Sequence, residues 1–134
     1  MGSPQRLGDS ELSRINSITE RIIGCAIEVH RGLGPGLLES IYRNALALEF
    51  DAAALGHVRE ARVAAIYKKR VVGTFRVDFI VEDTVVVEVK SVERNDPVFD
   101  AQLMTYLRLT GKRVGLLLNF NTQMLKHGIS RKIV

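Results

Sequence analysis

The segment Thr84-Val85-Val86-Val87-Glu88-Val89-Lys90 constrains this chain more than any other. Its β-branched content and lack of breakers read as a buried strand, where ionised side chains are costly unless paired or bound to a metal. Side chains alternate faces along a strand, so Glu88 and Lys90 project from one side while Val85, Val87 and Val89 project from the other. The preceding strand, Phe75 to Val81, carries a second carboxylate, Asp78. If Glu82-Asp83-Thr84 forms a three-residue hairpin loop, Val81 pairs with Val85 and Asp78 falls opposite Glu88 on one face. A two-residue loop at Glu82-Asp83, the commonest kind of hairpin, would instead pair Asp78 with Val87 and turn it to the opposite face from Glu88. A cation shared by the two carboxylates therefore demands an odd-length turn.

An aspartate followed ten residues later by Glu-Val-Lys also resembles the spacing of metal-dependent nuclease centres. With 134 residues, the chain has room for one domain and one core, expected over 10–134. Residues 1–9, beginning Met1-Gly2-Ser3-Pro4, read as a disordered or cloning-derived start. The 19 basic and 15 acidic residues give a net charge of +4 and a pI near 9.5, compatible with a polyanionic partner without requiring one. The lone Cys25 excludes an intramolecular disulfide and a cysteine-based zinc cluster, which fits a reducing cytoplasm. There is no apolar run of membrane-spanning length and no hydrophobic signal-peptide core, so the expectation is a cytoplasmic protein with no membrane partner.

Apolar residues Ile15, Ile18, Ile22, Ala26 and Val29 recur every three or four positions, predicting an amphipathic helix from Ser10 to about His30 with Asp9 or Ser10 as its cap. After the glycine-rich turn at 32–36, Pro35 suits the start of a second helix running to about Leu55, with Leu38, Ile41, Ala45 and Leu48 as its inner face. Val58 to Tyr67, Val71 to Val81 and Thr84 to Ser91 then read as an antiparallel meander, its first two strands separated by the basic tip Lys68-Lys69-Arg70. A third helix is predicted from about Val98 to Thr110, ended by Gly111. The apolar run Val114 to Asn119 suits a strand covered on both faces and lying parallel to a neighbour. Thr122 to Val134 is left as a last helical turn or an edge strand. The predicted fold is α/β, a mixed sheet of four or more strands flanked by helices in the order ααβββαβ.

Several separated motifs resemble the GxxExxY family, a branch of the PD-(D/E)xK nuclease superfamily, over about residues 13–133. They are Glu28-Val29-His30-Arg31-Gly32-Leu33-Gly34-Pro35, then Gly36-Leu37-Leu38-Glu39-Ser40-Ile41-Tyr42, then Ala101-Gln102-Leu103-Met104-Thr105-Tyr106-Leu107-Arg108-Leu109-Thr110-Gly111, and Val114 to Phe120. The resemblance implies a restriction-endonuclease-like core and metal-dependent cleavage of phosphodiesters. It would make Asp78, Glu88 and the helix-borne Glu39 ligands of Mg²⁺ or Mn²⁺ together with the Val89 carbonyl, and Lys90 the group that assists water and stabilises the phosphate. Gln102 would stand beside the lysine, with Tyr106 one turn further along. The chain departs from the family at Phe99, where histidine is often found, so an additional proton donor or ligand is absent there. Val77 stands where the superfamily usually places proline.

Each of these residues also has a plainer reading. Taken alone, Asp78, Glu88 and Lys90 could form a structural ion-pair network. Tyr42 and Tyr106 are more often packing residues with a bonded hydroxyl, His30 suits the last turn of a helix, and Cys25 suits a core. Lys68, Lys69, Arg70, Lys112, Arg113, Lys126, Arg131 and Lys132 either solubilise the surface or line a phosphate-tracking groove. The expectation is a nuclease acting on nucleic acid, DNA in preference to RNA, with a homodimer compatible. Its rival is a non-catalytic nucleic-acid-binding or partner-regulating module that keeps the fold, and a purely structural homodimer stands third.

Overall fold

The valine-rich run occupies the middle of a mixed five-stranded sheet. In the computed structural model, which describes residues 6–134, strands β1 (His57–Tyr67), β2 (Arg70–Val81), β3 (Val85–Lys90), β4 (Val114–Asn119) and β5 (Ile129–Ile133) lie side by side in chain order. β1, β2 and β3 form the antiparallel meander, β4 runs parallel to β3, and β5 returns antiparallel along β4. The tail supplies both alternatives left open for it, a 3₁₀ turn at Leu125–Gly128 and then the edge strand β5.

Helices α1 (Asp9–Leu33) and α2 (Glu39–Ala52) cover one face of the sheet, and α3 (Pro97–Thr110) lies on the other. On the first face Ile22, Leu46 and Phe50 meet Phe79, Val87 and Leu118; on the second Leu103 and Leu107 meet Val77, Val86 and Leu117. Every residue of β4 is buried, as its unbroken apolar run predicts for a strand covered on both sides. Asp96 caps α3 by accepting from the Val98 amide at 2.9 Å, with Pro97 in its first turn where a missing N–H costs nothing. No helix among the described residues is long and apolar enough to cross a membrane.

Two expectations for the helices need correction. α1 is capped at Gly8, not at Asp9 or Ser10, and no side chain bonds the cap. Leu7 packs against the core and Asp9 begins α1, while residues 1–5 of the start expected to be disordered or cloning-derived lie outside the described residues.

The second correction is larger, because α2 begins at Glu39 and ends at Ala52 where the pattern predicts Pro35 to about Leu55. Gly34 and Gly36 take φ of 71° and 95°, left-handed values that suit glycine in a loop and do not continue a helix, so Pro35 between them lies in a turn. The buried face is also different. Tyr42, Leu46, Ala47 and Phe50 point inward, while Leu38 and Leu48 of the expected stripe are 72% and 71% exposed. α2 is apolar at every position from Ala45 to Leu48, so two overlapping stripes compete, and the one carrying large aromatics wins. Tyr42 stacks on Phe120 at 4.6 Å and Phe50 meets Phe79 edge-on at 5.2 Å, contacts worth more than aliphatic burial alone.

Candidate active site

Glu82-Asp83-Thr84 is a three-residue loop, and Val81 pairs with Val85, the register that the shared-cation geometry requires. Glu82 and Asp83 both adopt positive φ, 51° and 50°, and the Thr84 amide closes the turn on the Val81 carbonyl at 2.9 Å. Regular pairing continues through Ile80 with Val86 and Phe79 with Val87, and there it stops. Beyond that point carboxylates take over from the ladder. The Asp78 amide donates to Glu88 Oε1 at 3.0 Å, and the Val89 amide donates to Asp78 Oδ2 at 2.8 Å.

The strands part because β1 and β2 both change faces at one level. Phe79 and Val81 belong to the core under α1 and α2, yet Val77, two residues before Phe79, belongs to the core under α3. On β1, Arg59 lies 5.7 Å from the Phe79 ring centroid while Ala61 packs in the α3-side core. Between those positions stand Asp78 and Glu60, and Glu60 has a left-handed φ of 48°. Such a conformation costs a non-glycine residue on the order of 1–3 kcal/mol and persists because packing on both sides over-determines it. Asp78 thus sits where β2 swings away from β3.

Lys90 projects on the same face as Glu88, its Nζ 4.7 Å from the Phe99 ring centroid. Phe99, the departure from the family pattern, gives this cation an aromatic face to rest on. Tyr106 stacks on Phe75 at 4.6 Å, and its hydroxyl pKa is raised, first by burial and then by the charges of Glu88 and Asp78. That coupling puts Tyr106 within electrostatic reach of the carboxylates. Gln102 is on α3 but exposed, and no hydrogen bond among the described residues ties it to Lys90.

Glu39, the first residue of α2, is connected to the strand carboxylates through Arg43. The guanidinium Nη1 is 3.6 Å from Glu39 Oε1 and 3.9 Å from Asp78 Oδ1. Arg43 is absent from the sequence-derived site, although its four-residue spacing from Glu39 on a helix was the available signal. The structure therefore brings Asp78, Glu88, Val89 and Lys90 together, reaches Glu39 through Arg43, and leaves Gln102 on the flank.

Buried polar groups fix the surrounding loops. Tyr42 is fully buried; its hydroxyl donates to the Gly34 carbonyl and accepts from the Leu37 amide at 3.1 Å, clamping the turn that delivers Glu39. Ser91 Oγ donates to the Leu37 carbonyl at 2.6 Å, tying that turn to the end of β3. Asn119 is 2% exposed, accepts from the Val92 and Asn121 amides and donates to the Val92 carbonyl and Asn95 Oδ1, which holds the segment after Lys90 in place. A Cβ on Gly128 would lie 2.1 Å from the Asn119 carbonyl oxygen, so no side chain fits there.

Glu88 is 7% exposed, and its pKa is pushed up to about 8, first by burial and then by the negative charge of Asp78. The Asp78 amide and Lys90 act in the opposite sense without reversing it. Two adjacent acids in so dry a place call for a proton or a cation between them. The donors fit a hard divalent ion. Val89 directs its N–H at Asp78, and a residue's N–H and C=O leave a strand on the same side, so the Val89 carbonyl faces the same opening. Two carboxylates and a carbonyl leave positions for water, as Mg²⁺ prefers. Among the described residues no three His, Cys, Asp or Glu side chains are gathered closely enough to hold an ion by themselves; the Arg43 guanidinium contacts both Glu39 and Asp78.

Other candidates have structural duties. His30 Nε2 meets the Thr122 carbonyl at 2.7 Å, and Cys25 is buried in the core. Lys112 pairs with Asp83 at 2.8 Å at the opposite end of β3 from Glu88, and a surface cavity lined by Arg14, Thr84 and Lys112 lies at that end too. Lys132 lies 3.9 Å from Asp100, and Arg131 donates to Asn16.

A family model described as the PD-(D/E)XK nuclease superfamily matches residues 16–132, a span from within α1 into β5. No curated protein matches the chain. Superfamily members generally use divalent metal ions, in keeping with the oxygen donors at Asp78 and Glu88. The mixed sheet with helices on both faces is its restriction-endonuclease-like α/β arrangement, and the chain belongs to the PD-(D/E)XK nuclease superfamily.

Proposed function

We propose that the chain is a metal-dependent nuclease that hydrolyses nucleic-acid phosphodiester bonds, and that it represents the GxxExxY branch of its superfamily. The observation that carries this reading is the interlock of Asp78 and Glu88 at the point where β2 leaves β3, with Lys90 on the face of Glu88. Asp78, Glu88 and the Val89 carbonyl would hold Mg²⁺ or Mn²⁺, and Glu39 would join them when Arg43 turns outward. When bound, the ion supplies Lewis acidity, polarising the phosphate and making water more acidic. Lys90 leaves the Phe99 ring to place its charge on the phosphate oxygens, a contribution strongest where water is excluded. Gln102 would orient the lysine from α3.

The test is cleavage of single-stranded, double-stranded and branched DNA and RNA in Mg²⁺, Mn²⁺ or EDTA, with Asp78→Asn and Lys90→Ala beside the wild type. Metal-dependent cutting lost in both folded variants supports the proposal, and absence of cutting on every substrate together with no divalent-ion binding by calorimetry overturns it. One observation favours the rival, a binding module that keeps the fold: Arg43 already neutralises Glu39 and Asp78 in part. In that case Arg43→Met destabilises the fold, and chelator leaves nucleic-acid affinity unchanged.

A further inference from the structure

β2 extends back to Arg70 and β1 forward to Tyr67, whereas β3 ends at Lys90, which the β2–β3 register would set opposite Arg76. The β1–β2 hairpin therefore overhangs the sheet as an arm rooted beside Glu88 and Lys90. Its root packs on α3 through Ala61, Val77 and the Phe75–Tyr106 stack. At about 3.3 Å per residue the stretch from Arg62 to Tyr67 reaches about 17 Å, or roughly five base pairs of duplex at 3.4 Å each.

The charge of this arm is one-sided. Residues 61–77 contain Arg62, Lys68, Lys69, Arg70 and Arg76 and no aspartate or glutamate. All five are exposed, and none makes an ion pair or side-chain hydrogen bond among the described residues; Lys68 only lies over the Tyr67 ring at 5.4 Å. Elsewhere cations such as Lys112, Arg43 and Arg31 have anionic neighbours. A solvated charge run explains solubility but not the apolar residues that share the arm, Ile66, Tyr67, Val71 and Val72, each 58–65% exposed.

We infer that the arm is a duplex-DNA clamp that lies along a groove and holds the backbone across the Asp78–Glu88 site. A two-stranded β-ribbon fits the major groove of B-form DNA, whereas the major groove of A-form RNA is too deep and narrow for side chains to read. The exposed cations meet phosphates on either wall, and Ile66, Tyr67, Val71 and Val72, which flank the basic tip, take the floor. Charge complementarity selects this occupant over a second copy of the chain, whose arm would bring the same five cations against these. The inference rests on the nuclease reading and specifies its substrate.

The test uses anisotropy of a labelled 20-base-pair duplex in EDTA, titrated at several salt concentrations, with Lys68→Asn/Lys69→Gly/Arg70→Thr beside wild type and Lys112→Gln. Lys68 and Lys69 form a two-residue turn with φ of 48° and 67°, so Asn-Gly removes charge while keeping the turn. Each lost phosphate contact removes about 0.9 from the salt slope, so the triple variant should lower it by about 2 to 3, while Lys112→Gln leaves it unchanged. With cleavage established, the variant should raise KM and leave kcat alone. An unchanged slope, or tighter wild-type binding to single strands than to duplex, overturns the clamp and leaves the nuclease reading standing. A wild-type dimer in sedimentation that the triple variant dissociates also overturns it, making the arm a self-association surface. Absence of cleavage and of divalent-ion binding in a wild type whose salt slope still falls as expected in the triple variant overturns the nuclease reading alone, so the two can fail separately.

Discussion

The two halves of β2 share one strand and have opposite fates. Phe79 and Val81 are buried, Val81, Ile80 and Phe79 pair with β1 on one side and β3 on the other, and this half belongs to the core. Arg70, Val71, Gly73 and Thr74 pair with β1 alone, and this exposed half carries charge without counter-charge. Asp78 stands at the junction. Stability and chemistry are divided along one element, and the carboxylate sits where regular pairing gives out and backbone amides become free to bind it.

The comparison breaks first on chemistry. Asp78→Asn or Lys90→Ala is expected to reduce cleavage by roughly 10²–10³-fold or more while the melting temperature stays close to wild type, read by a gel assay beside thermal unfolding. Full activity in either variant would remove the junction from the mechanism. Stability supplies the next contrast. Phe79→Ala should cost about 3–5 kcal/mol in urea unfolding, whereas Val71→Ala on the same strand should stay within about 0.5 kcal/mol.

A pH series sharpens the junction itself. Glu88 has a folded pKa of about 8 against an ordinary value of 4.5, so between those values the folded chain holds a proton that the unfolded chain has released. Its protonated form stabilises the fold fully below about pH 4.5, and this contribution fades as pH rises toward 8. Metal-free protein should therefore lose on the order of 1–4 kcal/mol from pH 5 to 8, and Glu88→Gln should flatten that slope. Saturating Mg²⁺ should restore stability at the alkaline end with release of a proton below pH 8. The smallest effect belongs to the arm tip, where Lys68→Asn/Lys69→Gly should leave stability unchanged or raise it by up to about 1 kcal/mol by relieving two positive φ angles.

Much of this was legible because the controlling signals were local. Ionisable residues in a valine run, the odd turn they demand and the apolar run of β4 all depend on parity and composition within a few residues. The inward face of α2 was not legible, because Leu38, Ile41, Ala45 and Leu48 and the observed Tyr42, Leu46 and Phe50 both satisfy helical spacing. Only Phe120 and Phe79, far along the chain, decide between them. The change of faces at Glu60 and Asp78 had no glycine or proline to announce it. Glu39 was placed by resemblance, but its link to Asp78 through Arg43 follows from how α2 meets β2, which helix periodicity does not contain.

The sheet's strand order has a consequence for synthesis. Since each strand settles beside the one made just before it, β1 to β3 can assemble as the nascent chain emerges, and Asp78 can meet Glu88 before Gln102 has left the ribosome. The far edge of β3 must wait for β4, which needs α3 as its crossover. At about 5–20 residues per second, Ser91 to Arg113 take about one to five seconds to make. Throughout that interval Val85 to Val89 are an unpaired apolar edge, the kind on which neighbouring nascent chains aggregate. Translation speed through α3, rather than the final stability of the sheet, would then govern how much of this protein reaches its folded form.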